Sequence, residues 1–214
     1  MRKNLINLEP IYIDSHLIVV IKPAGILSQG DSTGDFSILD WAKEWAQREF
    51  SKGGTVYMGL VHRLDRPVGG VMVLVRTSKV ASRLSQQFRE RRVSKSYQAL
   101  VNGQVQNDFG RLMGVVDGRN ESLEYRVLER YGAHTLLSVV PETGRKHQIR
   151  RQLSKLGHPI VGDIRYGAAS PLPEQQIALF AVALDFEHPM RKVPMSFTAE
   201  LPSWWPIKIS LSTN

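Results

Sequence analysis

The amino-acid sequence predicts an α+β fold, because strand patterns and helix patterns occupy separate parts of the chain. Four β-type stretches follow one another between residues 97 and 140, separated by turns that contain Gly and Asn, as in an antiparallel meander. They are residues 97–101, 111–116, 123–130 and 135–140. Helical patterns stand apart from this region and do not alternate with single strands, which argues against a doubly wound α/β sheet.

The first and last strands are predicted outside this region. Residues 11–21 are β-branched and apolar but are interrupted by Asp14-Ser15-His16, which predicts two short strands around a turn. Lys22-Pro23 ends the second of them, because proline has no amide hydrogen to donate to a ladder. Residues 177–186 and 195–201 are the final predicted strands.

Three helices are predicted from the spacing of apolar residues. The first covers Ile38–Phe50, where Ser37 is the expected N-cap and Asp40 stands at capping-box distance. The second covers residues 79–91 after a serine, and the third covers residues 145–156 and is closed by a glycine and a proline. The second helix ends in a strongly basic stretch.

The chain is basic, with 28 Lys and Arg against 20 Asp and Glu and a net charge of +8. This charge indicates a polyanionic partner, of which nucleic acid is the commonest, although an acidic lipid would be attracted equally. The aliphatic run near the N-terminus, residues 17–21, is far shorter than the ~20 apolar residues that span a bilayer. No apolar signal core follows Met1-Arg2-Lys3-Asn4, so no membrane partner is predicted.

One acidic residue stands inside a cationic stretch, Val61-His62-Arg63-Leu64-Asp65-Arg66-Pro67. Asp65 lies between two arginines, against the electrostatic trend of a basic chain. Such an acid is either locked in a structural ion pair or kept ionised to act on a substrate that the surrounding cations hold. This stretch by itself leaves both interpretations open.

Three further segments fall in a fixed order around Asp65. They are Lys22-Pro23-Ala24-Gly25, Lys95-Ser96-Tyr97-Gln98-Ala99-Leu100-Val101 and Thr143-Gly144-Arg145-Lys146-His147-Gln148-Ile149-Arg150. In this order and spacing the chain resembles the RNA pseudouridine synthases of the large-ribosomal-RNA type. The resemblance runs from about residue 12 to residue 202 and includes Gly162-Asp163 and Tyr166-Gly167.

The resemblance implies an enzyme with a central mixed, largely antiparallel sheet, flanking helices and an active-site cleft. Such an enzyme converts specific uridines of rRNA or tRNA to pseudouridine: the N1–C1′ bond breaks, the uracil turns, and C5 bonds to C1′. The uracil carbonyls can take up charge as the bond breaks, so the reaction needs an ionised acid and neither a metal nor a small-molecule cofactor. Asp65 has that role by resemblance, by adding to C1′, adding to the ring or removing a sugar proton.

Two further residues are expected beside Asp65. An ionised acid in a site that excludes water needs a fixed cation beside it, and the resemblance assigns this role to Arg150, whose place beside Ile149 and Leu153 would turn it inward. The resemblance assigns Tyr97 to stacking on the target uracil, with its phenol available for a late proton transfer. From the residues alone, Arg150 could be a solvated helix arginine and Tyr97 a core residue.

RNA contacts are predicted from the remaining basic residues. Arg63 is two residues from Asp65, so both side chains point the same way if the segment is extended. Arg63 would either enter the RNA stack to flip the uridine out or contact a phosphate. The other predicted RNA-binding or base-flipping residues are His62, Arg66, Arg92, Lys95, Arg145, Lys146 and His147. The wider basic surface is expected to add Arg89, Arg91 and Arg151.

The organisation of the chain is predicted to be simple. Residues 1–214 would form a single catalytic domain, without the N-terminal S4-type RNA-binding domain that many relatives carry. The absence of cysteine excludes disulfides and thiol nucleophiles and fits a reducing compartment. The protein is therefore expected to be a cytoplasmic monomer whose partner is RNA.

Two functions from other classes compete with this hypothesis. The first is a metal-dependent hydrolase, with the possible ligands His62, Asp65, His147 and His158. Their spacing matches no metal-ligand signature, and neighbouring arginines would repel a cation. The second is an RNA-binding or ribosome-assembly protein whose catalysis is dispensable or lost. It explains the charge equally well but not the joint presence of the acid, the tyrosine and the arginine.

Overall fold

The computed structural model of the protein describes residues 8–50 and 57–207. In this part of the chain the strands are β1 (Tyr12–Ile13), β2 (Leu17–Lys22), β3 (Gly59–Leu60), β4 (Gly69–Val75), β5 (Ser94–Asn102), β6 (Phe109–Val116), β7 (Arg119–Tyr131), β8 (His134–Pro141), β9 (Leu179–Glu187) and β10 (Pro194–Thr198). The helices are α1 (Ile38–Phe50), α2 (Ser78–Arg89) and α3 (Gln148–Lys155), and two short 3₁₀ helices cover Ile164–Tyr166 and Pro173–Gln175.

All ten strands belong to one sheet, in the order β1-β2-β4-β9-β5-β8-β7-β6, with β3 beside β4 and β10 beside β9. Every pairing is antiparallel except that of β4 with β9, where Gly69 lies beside Phe180 and Gly70 beside Ala181. The sheet is therefore mixed and largely antiparallel. Together with the flanking helices it confirms the predicted α+β class.

The parallel junction between β4 and β9 requires a glycine. Gly70 has a φ of 128°, in a region that residues with a Cβ rarely adopt. A Cβ at this position would lie 2.3 Å from the carbonyl oxygen of Ala181. The close approach of these two backbones joins β1, β2 and β4 to the half of the sheet that contains β5–β8.

Strand β5 departs from the predicted meander. β6, β7 and β8 pair consecutively as predicted, but β5 lies between β8 and β9 and not beside β6. Burial gives the reason, because Ala99, Leu100 and Val101 of β5 are enclosed, whereas β6 exposes Phe109 and Met113 as an edge strand does. β5 is thereby placed in the middle of the sheet.

Apolar side chains cover both faces of the sheet at β2 and β4. In β2, Ile18 and Val20 belong to a cluster that includes residues of α1 and α3, while Leu17 and Val19 belong to a second cluster that includes residues of α2. All four side chains are fully buried. Because both faces are covered, β2 and β4 are continuous apolar runs and not alternating ones.

The first two helices lie close to their predicted bounds. α1 has the predicted bounds, and its capping box is present: the Asp40 amide donates to Ser37 Oγ at 3.3 Å and the Ser37 amide donates to Asp40 Oδ2 at 3.1 Å. α2 begins at Ser78, one residue earlier than predicted, because Thr77 is its N-cap, and it ends at Arg89.

The third helix begins three residues later than predicted, at Gln148. Its N-cap, His147, has a φ of 54°, a left-handed conformation that an α-helix cannot include. Residues 142–147 therefore form a loop and turn between β8 and α3. None of the helices in the described residues is long and apolar enough to cross a membrane.

Candidate active site

An open cleft of about 770 Å³ is lined by residues from distant parts of the chain. Its walls are the loop before β4, the end of α2 with the start of β5, the turn before α3, and α3 itself. Arg63, Asp65, Tyr97 and Arg150 all line it. The structure thus brings the three predicted catalytic side chains together with Arg63.

The loop that carries Asp65 is held by the segment after β2. Ser28 donates from Oγ to the Leu64 carbonyl at 2.7 Å and accepts from the Leu64 amide at 3.1 Å. The Gly25 amide donates to the Arg66 carbonyl at 2.8 Å, and Arg66 Nε donates to the Gly25 carbonyl at 3.2 Å. These hydrogen bonds fix both neighbours of Asp65 and so set the position of the acid.

A buried lysine supports the same loop. Lys22 is 0% exposed, and its Nζ donates to three backbone carbonyls. The acceptors are Pro23 at 2.9 Å, Ile26 at 2.6 Å and Arg66 at 3.4 Å. Burial lowers the pKa of Lys22 to about 7, although the negative charge of Asp65 opposes this shift. The contacts of Lys22 are therefore those of a structural residue beneath the acid.

Arg150 links Asp65 to a second carboxylate. Its Nη1 donates to Asp65 Oδ2 at 3.2 Å, while Nε and Nη2 donate to the two oxygens of Asp163 at 2.7 and 2.8 Å. Asp163 is 1% exposed, whereas 27% of the Asp65 side chain is exposed. Burial would lower the pKa of Arg150, but the hydrogen bonds and charges of Asp163 and Asp65 outweigh it and raise that pKa. The arrangement is a fixed cation between a buried acid and an accessible one.

His147 lies on another side of the acid. Its Nε2 is 3.8 Å from Asp65 Oδ2, and its Nδ1 is 3.0 Å from the Tyr166 hydroxyl. Burial lowers the pKa of His147. The negative charge of Asp65 opposes this shift, and the positive charge of Arg150 adds to it. A neutral imidazole that accepts from Tyr166 at Nδ1 carries its proton on Nε2, the nitrogen that faces Asp65.

Tyr97 lies at an irregularity of the sheet. Ser96 is opposite Ala183 in β9, but Tyr97 is opposite Ala181, so one residue of β9 is left out of the register. Bulges of this kind re-aim side chains and are frequent next to active sites. Burial, together with the charge of Asp65, raises the pKa of Tyr97. Its phenol is therefore protonated at neutral pH.

His62 contributes to the cleft wall through its ring contacts. Its Nε2 accepts from the Val73 amide at 3.0 Å, and the ring stacks on Phe88 with centroids 5.1 Å apart. Burial, with a smaller effect of the Lys95 charge, lowers the pKa of His62 to about 3. These contacts are structural, and an RNA contact by His62 stays a prediction.

Several cations of the cleft have no salt bridge with any residue that the structure describes. Arg63 is exposed and makes no side-chain hydrogen bond within these residues. The other unpaired cations that line the cleft are Arg89, Arg91, Lys95, Arg145 and Lys146. Burial also lowers the pKa of Lys95. Unpaired cations around an open cleft are suited to hold an anionic ligand.

Arg66 and Arg92 stand apart from this group. Arg66 forms a salt bridge with Asp35 at 2.8 Å, and Arg92 forms one with Glu90 at 2.6 Å. Neither lines the cleft. An RNA contact by either arginine stays a prediction.

The residues of the alternative metal site do not form a ligand cluster in the part of the chain that the structure describes, although His62, Asp65 and His147 line the same cleft. Within residues 8–50 and 57–207, no group of three or more His, Asp or Glu side chains could hold a metal ion. His158 has its Nδ1 2.9 Å from the Asn102 carbonyl oxygen, and His62 Nε2 accepts from a backbone amide.

Two side chains of the site had no role assigned from the sequence. Asp163 holds Arg150, and Tyr166 contacts His147 and lies under the Arg150 guanidinium, with Cζ 4.9 Å from its ring centroid. Both occur in segments that contributed to the family resemblance. In the local sequence, Asp163 is a single acidic residue after Ile160-Val161-Gly162. This pattern does not identify Arg150 as its partner.

The chain is similar in sequence to a family of known activity. Residues 16–155 match the family model described as RNA pseudouridylate synthase. The "Ribosomal large subunit pseudouridine synthase D" of Xylella fastidiosa is 34% identical, over 92% of this chain and 67% of that protein. The protein of the same description from Pseudomonas aeruginosa is 34% identical, over 92% of this chain and 69% of that protein.

Solved structures share the fold. "Human RNA Pseudouridylate Synthase Domain Containing 4" has a TM-score of 0.78 at 24% identity, over 92% of this chain and 89% of that one. "Human RNA Pseudouridylate Synthase Domain Containing 1" has a TM-score of 0.72 at 23% identity, over 92% of this chain and 84% of that one. At these identities the likeness concerns the fold.

Proposed function

The chain belongs to the RNA pseudouridylate synthase family, and we propose that it isomerises specific uridines of structured RNA with Asp65 as the catalytic carboxylate. The observation that carries this proposal is the hydrogen-bonded series Asp65–Arg150–Asp163. It supplies an accessible acid whose negative charge is balanced by an arginine that a buried acid holds from behind. An RNA pseudouridine synthase needs such an acid at the sugar or the base of its target.

The reaction moves a glycosidic bond without redox change. The N1–C1′ bond breaks, the uracil turns, and C5 bonds to C1′. The hydrogen on C5 then leaves as a proton to solvent, and N1 takes up a proton in exchange. Arg150 binds Oδ2 of Asp65, while Oδ1 has no hydrogen-bond partner among the described residues. We assign Oδ1 to the substrate. Attack on C1′, attack on the ring and removal of a sugar proton would all use this oxygen.

Arg150 and Tyr97 complete the reacting centre in this proposal. Because Asp163 holds two of the three guanidinium nitrogens, Arg150 is pre-organised to stabilise the Asp65 carboxylate and needs no reorganisation during the reaction. Tyr97 would stack on the extruded uracil. Its raised pKa keeps the phenol protonated, so it can donate a hydrogen bond or a proton late in the reaction.

A uridine stacked in folded RNA cannot reach Asp65, so the base must be extruded. We assign this step to Arg63, which is exposed at the mouth of the same cleft and has no ionic partner among the described residues. The unpaired cations of the cleft wall would hold the phosphates around the extruded nucleotide. These contacts position the RNA and do not read its sequence.

The relatives suggest the class of RNA. Those from Xylella fastidiosa and Pseudomonas aeruginosa bear names that refer to the large ribosomal subunit. We therefore propose a hairpin of large-subunit rRNA as the target, with a tRNA arm as the second choice. A ribosomal target would place the activity in the cytoplasm.

The decisive experiment uses RNA labelled with tritium at uracil C5, from cells that lack this protein. Formation of the C5–C1′ bond expels that hydrogen into water, where it can be counted. Purified protein and Asp65→Asn are compared on rRNA and tRNA fractions without added metal or nucleotide. We expect release by the wild type and a loss of at least about 10³-fold in Asp65→Asn, since removal of a catalytic nucleophile or base has effects of this order.

The two variants separate the possible failures. Release by both proteins would remove Asp65 from the mechanism. No release by either protein on any RNA fraction, with RNA binding retained, would favour an RNA-binding role without catalysis.

A further inference from the structure

A second open groove, of about 650 Å³, lies on the other side of the turn before α3. Residues 144–147 line both this groove and the active-site cleft, so they form a ridge between the two. The remaining walls are the tip of the β6–β7 hairpin, Arg151 of α3, and the 3₁₀ helix at Ile164–Tyr166. None of the catalytic roles assigned above requires these walls.

Cations converge on this groove from separate elements. They are Arg119 at the start of β7, Arg145 and Lys146 on the ridge, Arg151 in α3, and Arg165 in the 3₁₀ helix. Arg151 is neutralised by a salt bridge to the buried Glu121. The other four form no salt bridge with any described residue, and Asp117 is the one carboxylate among the described residues that line the groove.

The convergence of these cations is what distinguishes the groove from the rest of the described surface. Elsewhere, Arg111, Arg130 and Arg191 have carboxylate partners at 2.6, 2.7 and 3.2 Å, while Lys43 and Arg126 have none among the described residues but line neither the cleft nor the groove. Around the groove, the fold brings together unpaired like charges that are distant in sequence, and these repel one another. Such a concave cationic surface concentrates a polyanion.

A tight turn and the contacts of Arg151 set the positions of two groove walls. Asp117 and Gly118 have φ values of 51° and 68° between the paired residues Val116 and Arg119, which is the geometry of a two-residue type I′ hairpin turn. The turn fixes the first residue of β7 at the groove wall. Arg151 joins the hairpin to the ridge, because it pairs with Glu121 of β7 and also donates to the carbonyl of residue 146 at 2.9 Å.

The groove begins one side chain away from the catalytic acid. His147 Nε2 is 3.8 Å from Asp65 Oδ2, and its Nδ1 contacts Tyr166, which already lines the groove. An RNA strand whose uridine is extruded toward Asp65 would therefore cross the ridge at residues 144–147. Its neighbouring phosphates would lie within reach of Arg119 and Arg165.

We propose that this second groove binds the phosphodiester backbone of the RNA on one side of the target uridine. The proposal rests on the proposed function, because it takes Asp65 as the position of the target. The ligand is a flexible, single-stranded or loop segment of RNA, held through its charge and not through its sequence.

The test compares Arg119→Ala/Arg165→Ala with the control Lys43→Ala/Arg126→Ala, which removes the same charge. All four side chains are exposed, and the two control residues line neither the cleft nor the groove. The probes are fluorescein-labelled oligouridylates of increasing length, and their dissociation constants are measured by anisotropy over a series of KCl concentrations. We expect the groove variant to lose about 1.4 from the salt slope of the longer oligonucleotides, since each phosphate contact to a single strand contributes about 0.7.

Each result decides the proposal. A lower slope in the groove variant alone, appearing only above a certain oligonucleotide length, supports it. Equal slopes in the groove variant and its control would overturn it, as would failure of the wild type to bind any oligouridylate. Tritium release by the wild type is measured in parallel, so an inactive protein with the expected slopes would reject the proposed function and not the groove.

Discussion

Asp163 accepts two parallel hydrogen bonds from Arg150, at 2.7 and 2.8 Å, in the interior of the protein. This pairing leaves one guanidinium nitrogen, Nη1, to face Asp65 at 3.2 Å. The accessible acid is therefore positioned by a carboxylate that does not line the cleft. Asp163 acts through Arg150 and is a positioning residue.

Asp163→Asn should damage both stability and turnover. The substitution leaves Arg150 without its buried counter-charge, which should lower the free energy of unfolding by roughly 3 kcal/mol. A displaced Arg150 should reduce the single-turnover rate of tritium release by about 10²-fold. Urea unfolding and tritium release test this against Asp35→Asn, which breaks the exposed salt bridge with Arg66 and should cost less than about 1 kcal/mol. A fully active Asp163→Asn protein would contradict the proposed positioning of Arg150 by Asp163.

Tyr97→Phe should bind RNA as tightly as the wild type but lose turnover. The ring that would stack on uracil is kept, and the phenol that would serve proton transfer is removed. Anisotropy measures the affinity and tritium release measures the rate, with Tyr131→Phe as a control for loss of a hydroxyl outside the cleft. Because the pKa of Tyr97 is raised above its ordinary value of 10.0, its ionisation should cause no loss of rate below that pH. Unchanged turnover would remove the phenol from the mechanism.

Arg63→Ala should retain most of the RNA affinity while losing isomerisation, because an intercalating guanidinium acts after the RNA has bound. Arg63→Lys distinguishes this role from a phosphate contact, since lysine keeps the charge but not the planar group that stacks. We expect both variants to be inactive on folded RNA. Recovery of activity in Arg63→Lys, with a salt slope lowered by about 0.7 in Arg63→Ala, would indicate a phosphate contact.

His62 should make stability depend on pH in the acidic range. Its pKa is about 3 in the folded protein against an ordinary 6.5, so the unfolded chain binds the proton first as the pH falls. The contribution of His62 to the free energy of unfolding is therefore complete above about pH 6.5 and is lost as the pH falls toward 3. His62→Gln retains an acceptor for the Val73 amide and should show a flatter pH dependence of urea unfolding than the wild type. If the free energy of unfolding of the wild type and of His62→Gln depended on pH in the same way, His62 would not be the origin of the dependence. His134→Gln serves as the matched control.

Local pattern predicted much of this protein. The β-branched runs, the capping box of Ser37 and Asp40, and the Gly- and Asn-containing turns indicated α1 and most strands near their observed bounds. The ordered motifs identified Asp65, Tyr97 and Arg150, which the structure places in one cleft. Their catalytic roles, and the organisation of residues 1–214 as a single domain, stay predictions.

Other features depended on contacts between distant residues. The position of β5 between β8 and β9 follows from which strand can be buried on both faces, and a meander pattern does not specify it. Whether an arginine is paired also depends on which distant segments the fold brings together. Arg66 meets Asp35 across separate loops, whereas Arg119 and Arg165 form no salt bridge with any residue that the structure describes.

The sequence by itself determined the fold class and most of the elements, because these depend on residues that are neighbours along the chain, and its ordered motifs pointed to Asp65 by resemblance. Tertiary structure alone decided that Asp163 holds Arg150, that His147 faces Asp65 from a left-handed turn, and that a second cationic groove adjoins the cleft. The physical reason is that hydrogen bonds and charge interactions act over a few ångströms in space. The fold determines which side chains come within that distance.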